Sequence, residues 1–275
     1  FDRAAIEFQN GLMSLSIMPI PMPAHLSFTA SNKNGPQEVG HRDYRCGELQ
    51  SKNEFRYGIL EVRMKTPRTP SGKTNSGFVA SMFTFHQSDQ NLWQEIDYEV
   101  QAQFDNRFTS NLIFGKNCTN WSCTRAWGSW EAYTDVNGTH APEKNISLKT
   151  PLDYSHSGDF HVIKIIWRPE SIEWYLDGIK YRELSNDVIK SMPAGSENIG
   201  TKSQEAHVPD TYAKIMFNFW LTNNGKAFGG INTGNNYPMK AEYDWFRYYS
   251  LDGHDETFNR RPAPPFDYGY LKNRK

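Results

Sequence analysis

The sequence predicts an all-β protein, a sandwich or barrel of a dozen or more strands. Three observations carry that prediction. Most segments alternate apolar and polar residues over four to eight positions and stop at Gly, Pro, Asn or Asp. No long stretch repeats with helical period. Asp177-Gly178 lies between two such runs and is a strong signal for a two-residue hairpin.

The elements follow in chain order. Phe8 to Met18 turns at Asn10-Gly11, then sets Leu12, Ser14, Ser16 and Met18 against Met13, Leu15 and Ile17. Tyr57 to Lys65 and Gly77 to His86 read as strands. Phe160 to Trp167 and Ser171 to Leu176 lead into the hairpin, and Ile179 to Glu183 returns from it. One short helix is expected from Asn186 to Met192, after Ser185 as its cap. Lys214 to Leu221 and Glu242 to Ser250 are the last strong strands. The weakly patterned stretch Phe104 to Gly158 reads as a long loop insertion, either functional or a decorated surface. It holds Trp121, Trp127 and Trp130. Residues 1–251 are expected to form one domain, and 252–275, rich in Pro, Arg and Asn, a tail or wrapping segment.

Composition narrows the class. The 275 residues carry a net charge of -1, so no basic excess points to nucleic acid. No window approaches the ~18 to 20 apolar residues of a spanning helix. The 17 Phe, 14 Tyr and 8 Trp leave open what so many rings do, since rings fill cores but also stack on sugars. Cys118 and Cys123 are close enough for a small disulfide loop that leaves Cys46 unpaired; three reduced thiols are the alternative. Sequons begin at Asn117, Asn120, Asn137 and Asn145. The first residues do not read as a signal peptide, and the absence of an initiator Met suggests a mature or trimmed form.

The most informative stretch is Leu92 to Val100. In a strand, Trp93, Glu95, Asp97 and Glu99 share one face, and Ile96, Tyr98 and Val100 share the other. Three acids in a row destabilise a sheet, and the bland reading is a solvated strand face. Glycoside hydrolysis gives them a use, because it needs two carboxyls across the scissile bond. At about 3.3 Å per residue the Cα atoms of Glu95 and Glu99 lie about 13 Å apart. Inward-leaning side chains would bring the carboxyls to about 5 to 6 Å, nearer the retaining than the inverting spacing. Asp97 between them is expected to raise the pKa of a neighbouring Glu. Phe83 and Phe85 share a face on the preceding strand, and rings flanking acids suggest a sugar cleft.

Glu95-Ile96-Asp97-Tyr98-Glu99 resembles the Glu-Ile-Asp-x-Glu signature of glycoside hydrolase family 16. Gly47 to Lys52 with Tyr57 to Lys65 resembles the block before it. Phe160-His161, Trp167-Arg168-Pro169 and Ile172 to Gly178 resemble the block after it, and Asn218-Phe219-Trp220 and Tyr243 to Tyr248 the closing strands. The resemblance implies a β-jelly roll of two curved antiparallel sheets with a concave substrate cleft. It implies Glu95 as nucleophile, Glu99 as acid/base and Asp97 as the assisting carboxylate. It places Trp93 beside the cleft, Asn218 and Trp220 on a cleft strand, and Glu48 as a sugar partner. It requires no catalytic cofactor but implies a structural calcium held by Asp244, with the Gly11 carbonyl a weaker candidate. A plain ion pair is the alternative for Asp244. His161 and Trp174 read as packing residues.

The uninterrupted motif is closer to the lichenase and transglycosylase branch, yet Gln94 and Val100 flank it where that branch has Asp and an aromatic, and Gln101-Ala102 follow. The expectation is a secreted, monomeric, endo-acting retaining glycosidase of a β-1,3-1,4 or β-1,3 glucan, its partner a polysaccharide rather than nucleic acid or membrane. The alternatives are a transglycosylase, a depolymerase of another polysaccharide and, remotely, a non-catalytic lectin-like sandwich.

Overall fold

The computed structural model describes residues 1–20, 26–32, 35–42, 44–67, 77–87, 92–101, 107–119, 122–129, 132–135, 145–147, 159–191, 205–221, 237–251 and 260–262. In chain order the strands are β1 (Ile6–Gln9), β2 (Leu12–Pro19), β3 (Leu26–Asn32), β4 (Gly35–Arg42), β5 (Tyr44–Phe55) and β6 (Gly58–Lys65). β7 (Phe78–Gln87), β8 (Trp93–Gln101), β9 (Arg107–Thr119), β10 (Ser122–Ser129), β11 (Ala132–Asp135) and β12 (Asn145–Ser147) follow. β13 (His161–Trp167), β14 (Ser171–Leu176), β15 (Ile179–Ser185), β16 (Ala213–Leu221), β17 (Met239–Tyr249) and β18 (Arg260–Pro262) complete the set.

Among the described residues the ladder runs β12-β11-β9-β8-β7-β16-β5-β2-β17-β6-β13-β14-β15, and β11–β12 is its one parallel pair. It folds over at the β5–β2 junction, so that β9-β8-β7-β16-β5 faces β2-β17-β6-β13-β14-β15 across a shared core. That is the expected all-β jelly-roll. Strand alternation builds the core. Ile96, Tyr98 and Val100 of β8, Phe217 and Phe219 of β16, and Leu60, Val62 and Met64 of β6 all point inward and are buried. Trp167 and Trp174 are fully buried, and both indoles find carbonyl partners: Trp167 Nε1 donates to Pro209 O at 2.8 Å and Trp174 Nε1 to Asp97 O at 3.1 Å. Trp174 therefore packs, as expected, and also ties the far layer to the carboxylate strand.

Both predicted hairpins form. Asn10-Gly11 has φ values of 53° and 79°, and Asp177-Gly178 has 47° and 82°, the left-handed pair that a type I′ turn requires. The predicted helix is α1 (Asn186–Ser191), capped by Ser185 Oγ, which accepts from Val188 N at 3.2 Å. The stretch 104–158 departs from expectation. It carries β9 to β12 rather than an uninterrupted loop, and β9 is an inner strand of the sheet beside β8. Cys118 is disulfide-bonded, Cys46 is a free thiol, and Cys123 stands directly opposite Cys118 in the β9–β10 ladder. Trp121, Trp130 and the sequons at Asn120 and Asn137 lie outside the described residues.

Candidate active site

Antiparallel register places one row of residues across five adjacent strands. Glu48 of β5 opposes Asn218 of β16, which opposes Ser81 of β7, then Glu99 of β8, then Thr109 of β9. The next row runs Gln50, Met216, Phe83, Asp97 and Asn111. The row beyond places Lys214, Phe85, Glu95 and Ile113 together. Directly opposed residues share a face, so the predicted carboxylates, Phe83, Phe85, Asn218 and Glu48 all lie on the concave side. Trp220 shares it, two residues on from Asn218.

The polar groups there are held closely. Ser81 Oγ donates to Asn218 Oδ1, and Gln50 Nε2 donates to Glu48 Oε1 at 3.0 Å. Glu95 is 9% exposed and Asp97 5%. Trp93 Nε1 donates to Glu95 Oε1 at 2.6 Å. Trp93 is itself buried, so its ring orients a carboxylate rather than offering an open sugar platform. Glu99 is less buried, and its Oε2 accepts from Gln101 Nε2 and Thr109 Oγ1, both at 3.4 Å.

Burial pushes the Glu95 carboxyl up to about 8, and the charge of Glu99 adds to the rise. The hydrogen bonds from Trp93 and Asp97 act against it by favouring the ionised form. At Glu95 the hydrogen bond from Asp97 lowers the pKa, and burial with Glu99 raises it.

The strand start is pinned from below. Gln94, on the core side of β8, accepts from Asp210 N, Thr211 N and Thr211 Oγ1 and donates to Asp210 Oδ1. His207 in the same loop holds the Asp210 carboxyl down at about 2. Sequence reasoning missed Gln50, Ser81, Thr109, Asn111 and the structural role of Gln94. The signal for Thr109 and Asn111 was available in β9, where Phe108, Leu112 and Phe114 mark the buried face and leave the odd positions for the cleft.

Asp244 and Gly11 are the two residues expected to hold calcium. Asp244 sits at a bulge in β17, and its carboxylate is paired with the Arg63 guanidinium from β6. Gly11 lies in the β1–β2 turn and borders the same surface cavity as Asp244, about 540 Å³ and mostly apolar. No group of three or more metal-ligating side chains occurs among the described residues. A carboxylate already neutralised by a guanidinium in an apolar cavity does not fit a hard cation that takes six to eight oxygens. The ion pair, the alternative reading, is what forms. His161 is likewise structural, its Nδ1 2.7 Å from Asp177 Oδ2.

The sequence model for "Glycosyl hydrolases family 16" matches residues 20–247. A beta-glucanase of Paenibacillus polymyxa is 31% identical over 209 residues, covering 75% of this chain and 65% of that protein. A beta-glucanase of Paenibacillus macerans is 29% identical over 254 residues, covering 91% of this chain and 85% of that protein. The chain thus spans just under two thirds of the first of these relatives. The solved Bacillus licheniformis beta-glucanase superposes with a TM-score of 0.56 at 23% identity, over 90% of this chain and 84% of that one. The chain belongs to glycoside hydrolase family 16.

Proposed function

We propose that the protein is an endo-acting, retaining β-glucan hydrolase acting on a β-1,3-1,4 or β-1,3 glucan. The observation that carries this is the concave face of β8, where Glu95, Asp97 and Glu99 stand in consecutive rows of a family 16 sheet. A β-glucan fits the relatives named beta-glucanases. Glu95 attacks the anomeric carbon while Glu99 gives its proton to the leaving oxygen as the glycosidic bond breaks. Water then bonds to the same carbon and displaces Glu95, and its proton passes to Glu99. Trp93 and Asp97 stabilise the ionised Glu95 that must attack. No cofactor enters these steps. The Cys118 disulfide supports an oxidising, extracellular setting, and residues 1–251 as one catalytic domain remain part of the reading.

Reducing-end release across lichenan, laminarin, xyloglucan, agarose and carrageenan tests this. Release from lichenan or laminarin with β-configured new ends is the expected result. Release confined to a galactan, or inverted ends, would contradict it.

A further inference from the structure

Glu99 is approached from two strands at one oxygen. Gln101 lies two residues further along the same face of β8, and Thr109 stands directly opposite on β9. Gln101 Nε2 and Thr109 Oγ1 each lie 3.4 Å from Oε2 of Glu99, and Thr109 Oγ1 is equally far from the Glu99 carbonyl. Gln101 is 4% exposed and Thr109 1%, so packing rather than solvent sets where these donors point. On the other flank, Ser81 commits its hydroxyl proton to Asn218. Glu95 receives quite different treatment, with deep burial and an indole donor at 2.6 Å.

We propose that Gln101 and Thr109 are positioning residues that anchor Oε2 of Glu99 and so fix the rotamer of the carboxyl that delivers and recovers the proton. The proposal rests on the reading of Glu99 as acid/base. A carboxylic acid that must give up a proton to a glycosidic oxygen and later accept one from water works from one oxygen at a time. Two neutral donors on Oε2 fix the rotamer and support the carboxylate left after transfer. Neither donor can itself deliver that proton, since an amide N–H and a threonine hydroxyl are far too weakly acidic. The bonds are long in the free protein, as catalytic hydrogen bonds often are before substrate closes the site. Gln101 also sits where the chain departs from the motif that its own strand resembles.

The test uses the leaving group as the probe. Q101L and T109V are compared with the wild type on two aryl β-glucosides or aryl β-glucan oligosaccharides with the same sugar. One carries a 2,4-dinitrophenyl group, which leaves without a proton, and one a 4-methylumbelliferyl group, which benefits from one. The kcat/KM for the poorer leaving group should fall about tenfold in each variant, as loss of one hydrogen bond to a charged group implies. The kcat/KM for dinitrophenyl release should change by no more than about twofold, and T109S should restore wild-type ratios. Equal losses on both substrates, or none on either, would overturn the proposal. Titration of ¹³C-labelled glutamate carboxyls repeats the test without turnover, so a wild type inactive on every glucan would count against the proposed function alone. Removing either donor should move the Glu99 midpoint upward, and an unmoved midpoint would overturn the positioning role.

Discussion

The two faces of β8 are built from alternate residues of one nine-residue strand, yet they obey opposite rules. On the inner face, Ile96, Tyr98 and Val100 are buried among apolar neighbours, and Tyr98 packs its ring 5.2 Å from that of Phe108. On the concave face, Glu95 and Asp97 are almost as buried, but at Glu95 burial works against the charged state that chemistry needs. The inner face supplies the rigidity, and the concave face spends part of it. The backbone joins the two, because the carbonyl of Asp97 accepts from Trp174 in the opposite layer.

Substitution of Glu95 should have the largest effect. E95Q should cut turnover by at least about 1000-fold, since the covalent step loses its nucleophile. The same change should stabilise the fold in a pH-dependent way. Glu95 holds its proton up to about 8 when folded but only to 4.5 as a free side chain. Across that window the folded state binds more protons, so stability falls as pH rises. E95Q should therefore match the wild type in thermal unfolding at pH 4 and exceed it at pH 8.

Removing the indole donor is the next largest effect. W93F keeps a ring but deletes the bond to Glu95, and kcat should fall by about 10- to 100-fold, the worth of a hydrogen bond to a charged group. Its kcat/KM profile should also shift to higher pH, because without the indole donor the Glu95 carboxyl loses its proton less readily. On the inner face, W174F should leave the pH profile unchanged and cost about 2 to 4 kcal/mol in urea unfolding, through a lost hydrogen bond and a small void. The smallest effect is expected far from β8. EDTA should leave the melting temperature unshifted, since Arg63 already serves Asp244.

Much of this was legible in the sequence because it is local. Alternation in Trp93 to Val100 sorted the two faces correctly, and Asn10-Gly11 and Asp177-Gly178 declared their turns. What escaped depends on residues distant in the chain. Asp244 meets Arg63 across 181 positions and Gln94 meets Asp210 across 116, and no local pattern encodes either. Trp93 shows a different limit, since an indole beside acids reads the same whether it stacks on sugar or donates to a carboxylate. β9 was hidden by the polar residues Thr109 and Asn111 on its cleft side, which made strand look like loop.

The central claim is that the concave face of β8 carries the nucleophile at Glu95. Trapping with a 2-deoxy-2-fluoro β-glucosyl or β-laminaribiosyl fluoride tests it most directly, because the fluorine slows release of the covalent intermediate. Peptide mass spectrometry should find one sugar on Glu95 and none on Asp97 or Glu99. A label on another residue, or an active enzyme that no fluorosugar modifies, would contradict the account.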